Sequence, residues 1–212
     1  MTNGSWIAMS AVAALLTTSA ASAGLITIDA DPYAPGTDVS TVFAGVTLSH
    51  LTFTVAGMQA SPVYSAGCSG TPDCAALGAA SFGWLQANGT ITKAWYSRDS
   101  AMGNCVRQNY PYCYNSSPAQ QLLSVSLDTA TDFIQFDSTY HNDFPWVWAY
   151  DAAGNLLAVT KQVTYLQVNG SGGPGYGHQR VTVTSPLSNI ARIVIAGNGG
   201  YSSVNSITYS AP

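Results

Sequence analysis

Trp146 and Trp148 stand two residues apart in Phe144-Pro-Trp-Val-Trp-Ala-Tyr150. On a β-strand that spacing puts both indoles on one face about 7 Å apart, with Tyr150 next in line. A flat aromatic row of this kind suits the C–H face of a pyranose. Tyr110, Tyr112 and Tyr114 surround Cys113, and Trp95-Tyr96 ends an earlier β-prone run. Amides and acids interleave with these rings, notably Asn109, Asn115, Asn142 and Asp143. Trp95, Tyr110, Tyr112, Asn142, Asp143 and Trp146 therefore form the candidate ligand-binding set, with a polysaccharide or cell-surface glycan as ligand. The opposing physics is that large aromatics fill cores. It weighs more on Trp146 and Trp148 than on the polar, turn-like Tyr110–Tyr114 loop.

A second chemistry is oxygen ligation. Asp29, Asp31 and Asp38 lie beside the first β-prone run, and Ca2+ takes six to eight oxygen ligands. Asp29 and Asp31 are the candidate metal ligands for a structural Ca2+; no cofactor is required by any motif. Asx-turns explain the same aspartates without an ion. The three histidines, His50, His141 and His178, fall in separate segments and form no metal-binding motif. Hydrolytic chemistry has thinner support. Ser81 in Ala79-Ala-Ser-Phe-Gly83 misses the first glycine of a nucleophile elbow. Asp137 or Asp99 with Asp143 would supply a carboxylate pair, but no spacing singles one out. The sequence assigns no catalytic residue. Gly170-Ser-Gly-Gly-Pro-Gly175 fits a dinucleotide fingerprint in letters only, because Pro174 and the lack of a following helix make it a linker.

Charge narrows the partners. Only 8% of the 212 residues are charged, with net charge −4, against about 25% charged in ordinary soluble domains. All ten acids are aspartates. Six basic residues make no stripe to neutralise phosphates, which excludes nucleic acid as a partner. Surface polarity must come from Ser, Thr, Asn, Gln and Gly, residues that favour turns and strands over helices.

Residues 1–23 read as a secretory signal: an apolar stretch from Trp6 to Leu16 leads to the small-x-small pattern Ala21-Ser22-Ala23. The expected mature chain, 24–212, carries no run long enough to span a membrane, so it is expected in the periplasm or outside the cell. In that setting Cys68, Cys74, Cys105 and Cys113 are expected to form disulfides. Three pairings are possible; Cys68–Cys74 and Cys105–Cys113 are favoured because each closes a short, turn-rich loop. A tetrathiolate zinc site needs tighter spacing.

Between turn signals, short β-prone runs recur at 24–28, 46–55, 90–96, 122–127, 133–136, 146–150, 156–168, 180–184, 191–196 and 204–209. Their length and spacing predict an all-β, antiparallel sandwich in one domain. Ala153-Gly154-Asn155 predicts a hairpin turn. Residues 124–136 and 181–193 repeat a strand, polar corner, strand pattern that predicts a crossing between sheets. Pro118–Leu123 is compatible with one helical turn. The stretch 62–117 holds all four cysteines and is expected to be a loop-rich, disulfide-pinned insertion.

Three segments carry a family resemblance: Ile28-Asp-Ala-Asp31 through Phe43-Ala-Gly-Val-Thr-Leu-Ser49, Ala149-Tyr-Asp-Ala-Ala-Gly-Asn-Leu-Leu157, and Ile193-Val-Ile-Ala-Gly-Asn-Gly-Gly200 with Val204-Asn-Ser-Ile-Thr-Tyr209. Together they resemble exported bacterial proteins of the PEP-CTERM-associated type, whose cores are similar to the jelly-roll of galactose-binding-like and carbohydrate-binding domains. The chain reaches Pro212 without a sorting tail. The resemblance implies a jelly-roll-like sandwich, a calcium site near the terminal strands, and a non-catalytic module that binds carbohydrate or extracellular matrix. Asn205 stands where such proteins usually carry Asp. The competing functions are a structural envelope or biofilm-matrix protein without a small ligand, and a glycan-active hydrolase or lyase using aspartates.

Overall fold

Leu123, Val125 and Leu127 alternate with Ser124 and Ser126, a period of two that buries one face of a strand. The computed structural model describes residues 24–54, 57–67, 80–92, 121–141, 145–166, 176–196 and 203–211. Its regular elements are all strands: β1 Leu25–Asp29, β2 Val46–Thr54, β3 Gly57–Ser61, β4 Tyr64–Gly67, β5 Ala80–Leu85, β6 Ile91–Thr92, β7 Gln121–Thr131, β8 Phe133–His141, β9 Trp146–Tyr150, β10 Thr160–Leu166, β11 Tyr176–Thr184, β12 Ile190–Ala196 and β13 Val204–Ser210. Among the described residues no helix is long and apolar enough to cross a membrane.

The strands form two antiparallel sheets. In the first the order is β10-β11-β8-β13-β5-β4, with β1 also on β13 and β6 on β5. In the second it is β3-β2-β7-β12-β9. The chain passes repeatedly between them, so β1-β13-β8-β11 in one sheet stands with β7-β12-β9 in the other. Inward side chains of both sheets, among them Leu48, Leu123, Val125, Ile193 and Ile195 with Ile28, Ile134, Phe136, Val181, Val183 and Ile207, make one continuous core. This is the antiparallel sandwich the alternation predicts.

Both polar corners do what the sequence anticipates. β7 in the second sheet turns at Asp132 into β8 in the first, and β11 in the first turns at Ser185–Asn189 into β12 in the second. The corners meet: Ser185 N donates to Asp132 O at 2.8 Å, and Thr131 Oγ1 donates to Ser210 O at 3.1 Å. The hairpin also forms, with Asp151 accepting from Asn155 N at 2.8 Å and Gly154 at φ 84°. That positive φ is why glycine stands there.

Two expectations change, and three strands appear where no run predicts one. The run 156–168 is not one strand: Leu156 bridges Tyr150 in the second sheet, and β10 begins at Thr160 in the first. Leu157 and Val159 pack on the core between the two sheets. The described part of the stretch 62–117 holds β4, β5 and β6, the last of them inside the expected run 90–96. β3, β4 and β5 fall outside every expected run. These strands read Gly-Met-Gln-Ala-Ser, Tyr-Ser-Ala-Gly and Ala-Ser-Phe-Gly-Trp-Leu, without the β-branched runs that mark a strand locally. Finally, Gln121–Leu123 belongs to β7 rather than to a helical turn.

Candidate functional site

The second sheet also has an apolar outer face. Leu51, Leu122, Trp148, Tyr150, Val194 and Ala196 form a buried cluster of their own, with Trp146 packed against it. Val194 faces Trp148 and Ala196 faces Trp146 across the β9–β12 pair. The run Ile193-Val-Ile-Ala196 is apolar at every position because both of its faces are covered.

β9 places the aromatic row on that face, as the two-residue spacing predicts, but its members differ in environment. Trp148 and Tyr150 are 5% and 6% exposed, so they are core side chains and offer no platform. Arg192 lies 4.5 Å above the Tyr150 ring, and burial pushes the phenol up to about 12. Trp146 is only half-buried. It opens β9 at the edge of the sheet, and small Ala196 is its cross-strand neighbour. Its indole N–H is enclosed yet meets no hydrogen-bond acceptor among the described residues. The Pro145 carbonyl just before it accepts from Lys161 Nζ at 3.2 Å, which ties this end of β9 to β10.

The other candidate ligand residues, Trp95, Tyr110, Tyr112, Asn142 and Asp143, lie outside the described residues, as do Cys68, Cys74, Cys105 and Cys113. So do residues 1–23.

Asp29 and Asp31 are described, and each binds backbone. Asp29 Oδ1 accepts Asp31 N at 2.9 Å, and Asp38 Oδ1 accepts Ser40 N at 2.9 Å; both are Asx-turns. Asp31 Oδ1 reaches across the fold to accept Ala80 N at 2.7 Å, at the start of β5. Buried Asn205 donates from Nδ2 to Ala80 O at 3.1 Å. One peptide residue is thus gripped at both polar groups, by a carboxylate at the N–H and an amide at the carbonyl. An aspartate at 205 would set a negative charge against that carbonyl, so the asparagine fits the contact it makes. Burial, and the nearby Asp31 charge after it, raise the Asp29 carboxyl above its ordinary value. Among the described residues no three of His, Cys, Asp and Glu gather as a metal-ligating group.

Of the hydrolytic candidates, Asp99 and Asp143 lie outside the described residues, and the described ones are otherwise engaged. Ser81 is fully buried within β5, in a strand rather than an elbow. Asp137 is clamped by Arg180, with Nε and a terminal nitrogen each 2.7 Å from its two oxygens. The clamp belongs to a polar ladder across the outer face of the first sheet, where Thr27 bonds Thr208 and Gln135 donates to Thr182.

Sequence reasoning missed the polar group at one end of the sandwich interior. His50 extends the inward row Val46, Leu48 on β2 and stacks on Trp84 from the opposite sheet, 4.8 Å away and 23° from parallel. Its Nδ1 lies 2.8 Å from Ser61 Oγ, and its Nε2 bonds Gln121 Oε1. The alternation Val46, Leu48, His50 along β2 is the available signal for its inward position. His178 is buried too, and neither ring nitrogen has a hydrogen-bond partner among the described residues.

Compared with known proteins, the chain matches no family model, no curated protein and no solved structure.

Proposed function

We propose that this protein is an exported module that binds carbohydrate or extracellular-matrix glycan on a jelly-roll scaffold, at the edge where β9 begins. The observation that carries the reading is Trp146: a half-buried indole at a sheet edge whose N–H has no acceptor among the described residues. Enclosed tryptophan N–H groups usually find a partner, and a sugar hydroxyl or ring oxygen would be one while the ring covers C–H surface. Two further features support it. The two antiparallel sheets, with β1-β13-β8-β11 in one and β7-β12-β9 in the other, support reading the sandwich as a jelly-roll, a scaffold common among sugar-binding domains. The signal-like residues 1–23 suit a protein that meets glycans outside the cytoplasm. The expected disulfides among Cys68, Cys74, Cys105 and Cys113 are a separate part of this reading; absence of titratable thiol in the unreduced exported chain tests it.

The test of binding is a glycan array probed with the exported chain, with and without calcium, beside its Trp146→Ala variant. Retention by the wild type and loss in the variant support the site. The burial of Trp148 and Tyr150 favours a second reading, an envelope or matrix protein without a small ligand. A wild-type chain that retains no glycan in either condition favours that alternative.

A further inference from the structure

Ser61 and His50 face each other across β3 and β2, with Ser61 Oγ 2.8 Å from His50 Nδ1. Gln121 Oε1 and Thr52 Oγ1, the latter at 3.2 Å, both face His50 Nε2; Gln121 Oε1 can only accept, and we assign the proton to Nε2 on that contact. Thr52 Oγ1 donates to the same Oε1 at 3.3 Å, which keeps that oxygen turned toward the ring. Nδ1 is therefore the bare nitrogen, and the Ser61 hydroxyl donates to it. Nucleophile, base and orienting group stand in line, the arrangement that activates a serine. Environment separates the roles further. Ser61 is exposed, at the end of edge strand β3, whereas His50 and Gln121 are buried. Trp84, stacked on the imidazole, presents a ring face that favours the imidazolium created when Nδ1 takes a proton.

We propose that Ser61 is a nucleophile, with His50 as its general base and Gln121 as the residue that positions it, and that the pair accepts acyl groups from sterically open esters. This goes beyond the glycan-binding reading and does not rest on it. In the reaction, Ser61 Oγ attacks the ester carbonyl carbon as its proton passes to His50 Nδ1. The tetrahedral adduct expels the alkoxide, which takes that proton and leaves as the alcohol. Water then attacks the acyl-serine, again giving its proton to Nδ1, and the acid departs as Ser61 recovers its hydrogen. Burial holds His50 below its ordinary 6.5, so the imidazole is neutral and able to act as a base at neutral pH. Gln121 lends a neutral carbonyl where a carboxylate would stabilise the imidazolium more, which points to slow turnover in the native chain.

The experiment follows p-nitrophenyl acetate hydrolysis and maps the phenylmethylsulfonyl adduct by peptide mass on the full chain. Adduct on Ser61, and hydrolysis lost in Ser61→Ala, are expected. His50→Gln should slow both by about 100-fold or more, the usual share of a general base. Gln121→Glu should accelerate both. Ser61→Ala removes one hydrogen bond to His50 Nδ1 and no core packing, so its melting curve should still show a cooperatively folded protein, lowered by a few degrees at most. No adduct at Ser61, hydrolysis unchanged in Ser61→Ala, or equal rates in wild type and a folded His50→Gln variant would each overturn the proposal. If His50→Gln does not fold, Gln121→Glu decides: no acceleration relative to wild type overturns it.

Discussion

The imidazole of His50 and the indole of Trp84 stack 4.8 Å apart although they come from opposite sheets. The contact closes one end of the sandwich with a titratable group, and burial lowers the affinity of His50 for a proton against the opposing pull of Gln121. In the unfolded chain the imidazole titrates near 6.5. Above that value both states are neutral and this histidine leaves stability unchanged with pH. Below it the unfolded chain takes up a proton that the folded one resists, so stability falls as pH drops from 6.5 toward the lowered folded value. The slope from one such group is at most about 1.4 kcal/mol per pH unit. Urea unfolding at about pH 7.5 and about pH 5.5 should show the loss in the wild type and a smaller one in His50→Gln. Equal pH dependence in the two proteins would remove His50 as the cause.

Gly83 is held to glycine by its neighbours rather than by its backbone angles. A Cβ there would lie 2.7 Å from Ala66 Cβ and 2.7 Å from the Thr92 carbonyl oxygen. The second of these is backbone on the paired strand β6 and cannot swing aside. Gly83→Ala should therefore destabilise the fold by about 1–3 kcal/mol through overpacking. At Gly24 a Cβ would meet nothing within 4 Å, so Gly24→Ala is the matched control, expected near zero. Comparable midpoints for the two variants in a denaturant titration would contradict the crowding argument.

How far the sequence spoke depended on whether a local pattern coincided with the tertiary one. Trp146–Tyr150 was legible residue for residue, because aromatic and β-branched side chains mark a strand wherever it packs. The corners at Asp132 and Ser185–Asn189 were legible because the same polar break interrupts two similar runs. β4 and β5 were not, since small residues interrupt both strands where they pack closely, as the contacts at Gly83 illustrate. Which aromatics are covered was not legible either. Trp146, Trp148 and Tyr150 share one face of edge strand β9, and the first, at the start of the strand, is half-buried while the other two are buried. For Asp31, composition raised oxygen ligation, whereas the partner Ala80 lies 49 residues away and no local rule points to it.

Asp31 leads to the next prediction. Its carboxylate accepts the Ala80 N–H at 2.7 Å and so ties the loop after β1 to the first residue of β5. Asp31→Ala deprives that N–H of its acceptor, and hydrogen bonds to charged groups contribute about 1.5–3 kcal/mol; exposure of the aspartate places the loss toward the lower end. Thermal melts in excess calcium and in EDTA give the discriminating comparison. The tether alone predicts the same loss in both solutions. A loss that appears only with calcium would make Asp31 an ion ligand as well, because an ion that binds the folded state stabilises it in proportion to its occupancy.

Trp146 and Phe136 should separate binding from folding. Phe136 is 1% exposed in the main core, and Phe136→Ala should cost about 3–5 kcal/mol of stability through lost burial and a residual cavity. Trp146→Phe is the finer probe: it keeps an aromatic face at the edge of β9 and removes an N–H that no described residue accepts. Stability should therefore change little, since no protein hydrogen bond is lost. Glycan affinity should fall by about 0.5–1.5 kcal/mol if a sugar oxygen takes that proton. Trp146→Ala removes the stacking face as well, and its loss should reach about 1–3 kcal/mol, as truncations at binding anchors generally do. A titration against the best array ligand, run beside a thermal melt of each variant, checks the order. Should Trp146→Phe bind as tightly as the wild type while Trp146→Ala merely unfolds, the indole is a core plug and the β9 edge is not the glycan site.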